Sequence, residues 1–118
     1  MRIKLFNDLK DKMIMMREAA VKCRLADVKR HSRVNVLGKV RSIEGDDIVG
    51  ISLEDESASV KAKFTGWTRL MAKEIKEGDL AIVIGKVEGD ELVGEIIKKV
   101  YNPKYQVLRQ LEIKCNEG

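Results

Sequence analysis

From Val34 to Val100 the chain reads as strand, turn and strand with a single helical interruption, and few folds accept that order. VNVLGKVRSI (34–43) and DIVGISLED (47–55) flank Glu44-Gly45-Asp46, a signal for a tight hairpin. SVKAKF (59–64) alternates, with Val60, Ala62 and Phe64 on one face and Lys61 and Lys63 on the other. LAIVIGKV (80–87) and ELVGEIIKKV (91–100) flank Gly89-Asp90, a second hairpin. The hairpins echo each other: GKVRSIEGDDIVG begins at Gly38 and GKVEGDELVG at Gly85. Each has a glycine inside its first strand, where a closed barrel needs a bend or bulge. WTRLMAKEIK (67–76) is the helical interruption, closed by Gly78, and it offers Leu70, Met71 and Ile75 as a plug for the barrel.

Three strands, a short helix and two more strands is the order of the five-stranded Greek-key barrel called the OB-fold. An SH3-like barrel is the competitor, and the ten-residue helical insert argues against it. The expected class is therefore all-β with accessory helices: an N-terminal amphipathic helix (1–19), the barrel (20–101) and a C-terminal helix (102–118). Leu5, Phe6, Leu9, Met13, Met16 and Ala20 recur at helical steps in the first segment. Val21, Cys23 and Leu25 then alternate, as a short lead-in strand running to a turn at Asp27. At the far end Asn102 can cap a helix, with Pro103 at its first position. Tyr105, Leu108, Leu111, Glu112 and Cys115 follow at helical spacing, with Val107 beside them. That stripe is too apolar to be left wet, so Tyr105, Leu108, Leu111 and Cys115 are expected to form an association surface.

With 118 residues, one compact domain is expected. No run of eighteen apolar residues is present, so no membrane span is expected. MRIKLFNDLKDK is charged throughout and lacks the apolar core of a secretory signal, which makes a cytoplasmic location the expectation. The net charge of +4 is unevenly spread: residues 1–33 carry +6, residues 34–101 carry −3 and residues 102–118 carry +1. A basic arm suits a polyanionic partner through counterion release.

Catalysis has little to work with. His31, the one histidine, lies in the basic turn Lys29-Arg30-His31-Ser32-Arg33, with no carboxylate or cysteine placed near it by sequence. The carboxylates cluster in hairpin tips, where turn chemistry explains them. Cys23 and Cys115 stand far apart and outside any Cys-x-x-Cys pair, so no zinc site, no other metal site and no cofactor is expected. No phosphate-cradling Gly-x-x-x-x-Gly-Lys run is present. An enzyme is not expected, and no residue is assigned as catalytic.

Single-strand sites on OB barrels combine basic side chains along the backbone path with aromatic platforms for bases. Lys39 and Arg41 share an outward face of the first strand, as do Lys61 and Lys63 of the third, and Phe64, Trp67 and Arg69 lie at the third strand's end. These seven residues are the candidate nucleic-acid contacts, although Phe64 fits the core equally well. The two loops that would clamp a strand, Glu44-Gly45-Asp46-Asp47 and Glu88-Gly89-Asp90-Glu91, are short and acidic.

Taken together, AAVKCRLADV, RVNVLGKV, ISLEDESASVKAKF, IKEGDLAIVIGKV and the helix after YNPKYQVLRQLEI resemble archaeal replication-protein-A-like OB-fold proteins. They are similar to the middle subunit of replication protein A and its telomeric, Stn1-like relative. The resemblance covers about residues 18–115. It implies single-stranded DNA as partner, a role in DNA replication and repair, and assembly through residues 103–115. The assembly would be a homo-oligomer, or a hetero-oligomer with related subunits. The methionine-rich N-terminal segment and the scarcity of aromatics depart from that pattern. Two alternatives remain: a structural subunit that binds nucleic acid weakly, and an RNA-binding OB module.

Overall fold

A computed structural model describes residues 19–117, with side chains as far as residue 114. The N-terminal stripe from Leu5 to Met16 and the Cys115 side chain lie outside the described residues. In chain order the elements are β1 (Val21–Lys22), a 3-10 turn (Leu25–Arg30), β2 (Arg33–Glu44), β3 (Val49–Glu54) and β4 (Ser59–Phe64). They continue with α1 (Thr68–Ala72), β5 (Leu80–Glu88), β6 (Glu91–Val100) and α2 (Lys104–Glu117).

One long strand closes the barrel. The first half of β2 pairs antiparallel with β5, from Arg33↔Lys86 to Lys39↔Leu80, and its second half pairs with β3, from Lys39↔Glu54 to Glu44↔Gly50. The sheet order is β1-β2-β3-β4-β6-β5, with β5 returning to β2. β4 meets β6 in parallel over Ala62↔Leu92 and Lys63↔Val93. A parallel neighbour demands a crossover, and α1 with β5 occupies it. The result is the Greek-key barrel of the OB-fold, with β1 added in parallel beside β2.

β2 must curl to serve two partners. Its register slips between Val40 and Ser42, so Arg41 is the extra residue of a bulge, not Gly38. Gly38 serves a close approach instead: a Cβ there would lie 3.1 Å from Leu53 Cβ and 3.2 Å from the Glu54 carbonyl oxygen. In the second hairpin the register slips beside the glycine, between Ile84 and Gly85, but the extra residue is Glu95 of β6, between Gly94 and Ile96. The β5–β6 connection is the expected two-residue hairpin, Glu88↔Glu91 around Gly89-Asp90. The β2–β3 connection is longer than a tight turn, because four residues, 45–48, separate the strands.

Alternation fills the interior. Val34, Val36, Val40, Ile51, Leu53, Ala62, Phe64, Ala81 and Val83 have no exposed surface. Leu25 and Val28 of the 3-10 turn close the end beside the β3–β4 turn and the β5–β6 hairpin. Ala72 and Ile75 close the other end, beside the β2–β3 loop, with Met71 partly buried against them. Leu70 does not join this plug. Only five residues of the expected helix are helical, which turns Ala72 inward and leaves Leu70 54% exposed.

Candidate nucleic-acid interface

Strand register places the basic residues. Across β2, β3 and β4 the outer face carries two rows, Ser42–Ser52–Lys61 and Glu44–Gly50–Lys63. Lys61 and Lys63 are two residues apart and therefore share this face. Gly50 gives the Lys61 stem its path, since a Cβ at Gly50 would lie 2.5 Å from Lys61 Cε. These residues floor a groove of about 620 Å³, walled by Glu44, Gly45 and Ile48 on one side and Asp90 and Glu91 on the other.

The groove is electrostatically self-occupied. Lys61 Nζ stands 3.3 Å from Glu44 and Lys63 Nζ 3.9 Å from Glu91, while Lys29 reaches Asp90 at 2.9 Å. The hydrogen bond and charge of Lys29 hold the Asp90 carboxyl below the usual carboxylate range. The groove's own lining has two lysines against three carboxylates. All these pairs are solvent-exposed, so each is worth only about 0–1 kcal/mol and a polyanion can displace it.

The remaining candidates are dispersed. Lys39 and Arg41 are exposed but do not line the groove, and Arg41 is committed to Glu54 at 2.7 Å and 3.2 Å. The hydrogen bond from Arg41, then its charge, lowers the Glu54 pKa. Arg69 Nη1 reaches Asp47 at 3.2 Å, which ties α1 to the β2–β3 loop. Trp67, just before α1, is 72% exposed. Phe64 is core: it has no exposed surface and cannot serve as a platform for a base. Tyr101, 84% exposed, is an open aromatic that the sequence reading passed over; its ring takes the Lys99 ammonium at 5.2 Å. Its position just past the last strand, ahead of Asn102-Pro103, was the available signal.

At the far side α2 begins as expected, with the Lys104 amide donating to Asn102 Oδ1 at 3.0 Å. Its inward face is not the apolar stripe. Arg109 and Ile113 are buried, Tyr105 is half-buried, and Val107, Leu108 and Leu111 are exposed. Lys22 of β1 ion-pairs with Glu112 and holds the helix to the barrel.

No protein-family model and no curated protein matches the sequence. Solved structures do. A chain of the S. pombe Stn1–Ten1 complex superposes with a TM-score of 0.67 at 12% identity, over 74% of this chain and 71% of that one. A chain of a replication protein A heterotrimer bound to single-stranded DNA gives 0.65 at 16% identity, over 74% and 72%. Asparaginyl-tRNA synthetase from Pyrococcus horikoshii gives 0.59 at 18% identity, over 70% of this chain but 23% of that enzyme. Barrels of this build thus occur both in DNA-bound assemblies and as one part of a larger enzyme. At these identities the likeness concerns architecture, and function rests on the site. By fold, this chain is an OB barrel of the kind found in Stn1–Ten1 and in replication protein A.

Proposed function

We propose that this chain binds single-stranded nucleic acid, DNA foremost, along the outer face of β3 and β4, as a replication-protein-A-like subunit acting in DNA replication or repair. The observation that carries the reading is the groove between the β2–β3 loop and the β5–β6 hairpin, floored by Lys61 and Lys63. A phosphate backbone lying in it displaces Glu44 and Glu91 from the two lysines, and Trp67 lies exposed beyond the end of β4 as a surface for a base. The carboxylate walls and the small number of lysine contacts make the binding weak, with a shallow salt dependence. The heterotrimer bound to single-stranded DNA supports the choice of DNA, and the exposed Leu108 and Leu111 support assembly with a second subunit.

The test is fluorescence anisotropy with a labelled single-stranded DNA and its RNA counterpart, for the intact chain and for Lys61→Ala/Lys63→Ala. Micromolar binding is expected, with a log–log salt slope that shrinks by about 0.7 for each lysine removed. The tRNA synthetase barrel favours a second reading, an RNA-binding module, and tighter RNA binding would select it. An absence of binding to either strand at low salt leaves the assembly role alone.

A further inference from the structure

Between α2 and the barrel wall lies a cavity of about 380 Å³, and Arg109 is among the residues that line it. Arg109 is 3% exposed and makes one hydrogen bond, from Nη1 to the Asn35 carbonyl oxygen at 2.9 Å. Its Nε and Nη2 have no partner, and neither does Asn35 Oδ1. Of the carboxylates nearby, Glu56 lines the cavity but is exposed and makes no bond to Arg109, and the other two are committed elsewhere. Asp55, which lines the same cavity, accepts from the Leu25, Ser57 and Ala58 amides and the Ser57 hydroxyl. Glu112 is held by Lys22. The Tyr105 ring lies 5.8 Å from the guanidinium carbon, a contact worth about 0.5–2 kcal/mol. Burying an uncompensated charge costs several times that amount. A guanidinium in this position calls for an anion.

We propose that this cavity binds a carboxylate, held on the Nε–Nη2 edge of Arg109, with an adjacent N–H or O–H reaching Asn35 Oδ1. The chemistry selects the class. Two parallel N–H donors match the two oxygens of one carboxylate. The lining holds Arg24, Arg109 and Lys114 against Asp55 and Glu56, an excess of one positive charge. Arg24 also pairs with Asp27 at 3.3 Å, so a single negative charge disturbs the local balance less than a phosphate dianion does. Burial pushes the Cys23 thiol up to about 11, so this neighbour stays neutral and does not repel the ligand. The Nε–Nη2 edge is covered in this structure, and α2 is held to the barrel by Arg109, Ile113 and the Lys22–Glu112 pair, so a ligand reaches the edge when the helix shifts outward. The carboxylate can come from a free small acid or from an acidic side chain of a protein lying along α2.

The experiment follows the Arg109 Nε–H resonance in the intact chain at constant ionic strength, with chloride as the balancing anion. The probes are N-acetylglycine, acetate, N-acetylglycinamide and a terminally blocked peptide carrying one glutamate. N-acetylglycine should shift the resonance saturably and bind about tenfold tighter than acetate, since it alone of those two supplies the N–H for Asn35. Asn35→Ala should erase that advantage, and the uncharged glycinamide should do nothing. Thermal stabilisation by N-acetylglycine should vanish in Arg109→Gln. A response to the blocked peptide alone assigns the carboxylate to a partner protein, and a response to the free acid assigns it to a small molecule. If no carboxylate shifts the resonance beyond matched chloride, or if Arg109→Gln is stabilised as the intact chain is, the site does not exist.

Discussion

Gly94 on β6 faces the ring of Phe64 so closely that a Cβ there would lie 2.2 Å from Phe64 Cε1. The contact sits at the barrel's shortest seam, where β4 and β6 share two register positions. Gly94→Ala must push the ring or part the strands. A loss of about 1–3 kcal/mol is expected in urea unfolding. Gly50→Ala is the control, because its Cβ meets only the flexible end of Lys61, and it should cost clearly less.

Phe64 and Trp67 lie three residues apart and belong to different parts of the molecule. Phe64→Ala empties the core and should cost about 3–5 kcal/mol of stability. Trp67→Ala removes a side chain that is already 72% exposed, so stability should change by less than about 1 kcal/mol. If Trp67 stacks on bases, its fluorescence is quenched by oligonucleotide and the alanine variant loses about 1–3 kcal/mol of binding. A normal affinity in Trp67→Ala would remove it from the interface.

The barrel was legible because its information is local: alternation gave the strand faces, Gly89-Asp90 gave one hairpin, and Asn102-Pro103 gave the start of α2. What stayed hidden depended on three-dimensional neighbours. The bulge at Arg41 arises because β2 changes partner in mid-strand, and no spacing in 34–43 marks it. Helical periodicity grouped Leu108 and Leu111 as a stripe but could not say which side of α2 meets the barrel. The buried side holds Arg109, a residue whose chemistry argues for exposure, so sequence reasoning passed over it. Lys61 and Lys63 were correctly placed on one face, yet their pairing with Glu44 and Glu91 needed the loops folded back over the groove.

Those pairs make a prediction of sign. Glu44→Gln/Glu91→Gln removes the internal competitors for Lys61 and Lys63 without touching the core. Single-strand affinity should rise, and the log–log salt slope should steepen toward about −0.7 per additional phosphate contact. An unchanged slope in anisotropy titrations would show that the strand avoids this groove.

Asp55 predicts an acid response. Burial alone raises its pKa, but hydrogen bonds from the Leu25 amide, the Ser57 hydroxyl and the Ser57 and Ala58 amides outweigh burial, and the net shift is downward. A carboxyl with a depressed folded-state pKa adds stability that is fully present above its unfolded value of 3.8 and is lost as pH falls through the folded value. Unfolding followed at pH 7 and then at steps below pH 4 should show this loss in the intact chain. Asp55→Asn should be less stable at pH 7, because fewer of the amides at the 3-10 turn and the β3–β4 turn remain satisfied. It should also lose less on acidification, and a parallel acid profile in the two proteins would place the acid-sensitive group elsewhere.

The exposed face of α2 is the last expectation to settle. Leu108 and Leu111 are each 55% exposed, and Val107 beside them is 58% exposed. Full burial of such side chains is worth about 1.5–3 kcal/mol each, and at half exposure about half of that remains to be gained. Three of them in one patch supply enough to favour pairing, with a second copy through a two-fold interface or with a related subunit. Because the residues already face solvent, Leu108→Glu/Leu111→Glu should leave the barrel's unfolding midpoint almost unchanged. Light scattering should show concentration-dependent association of the intact chain, or a defined complex with a related OB subunit, and neither in the double variant. Intact chain that stays monomeric at high concentration and binds such a subunit as well with the double substitution as without it would place the interface elsewhere on the barrel.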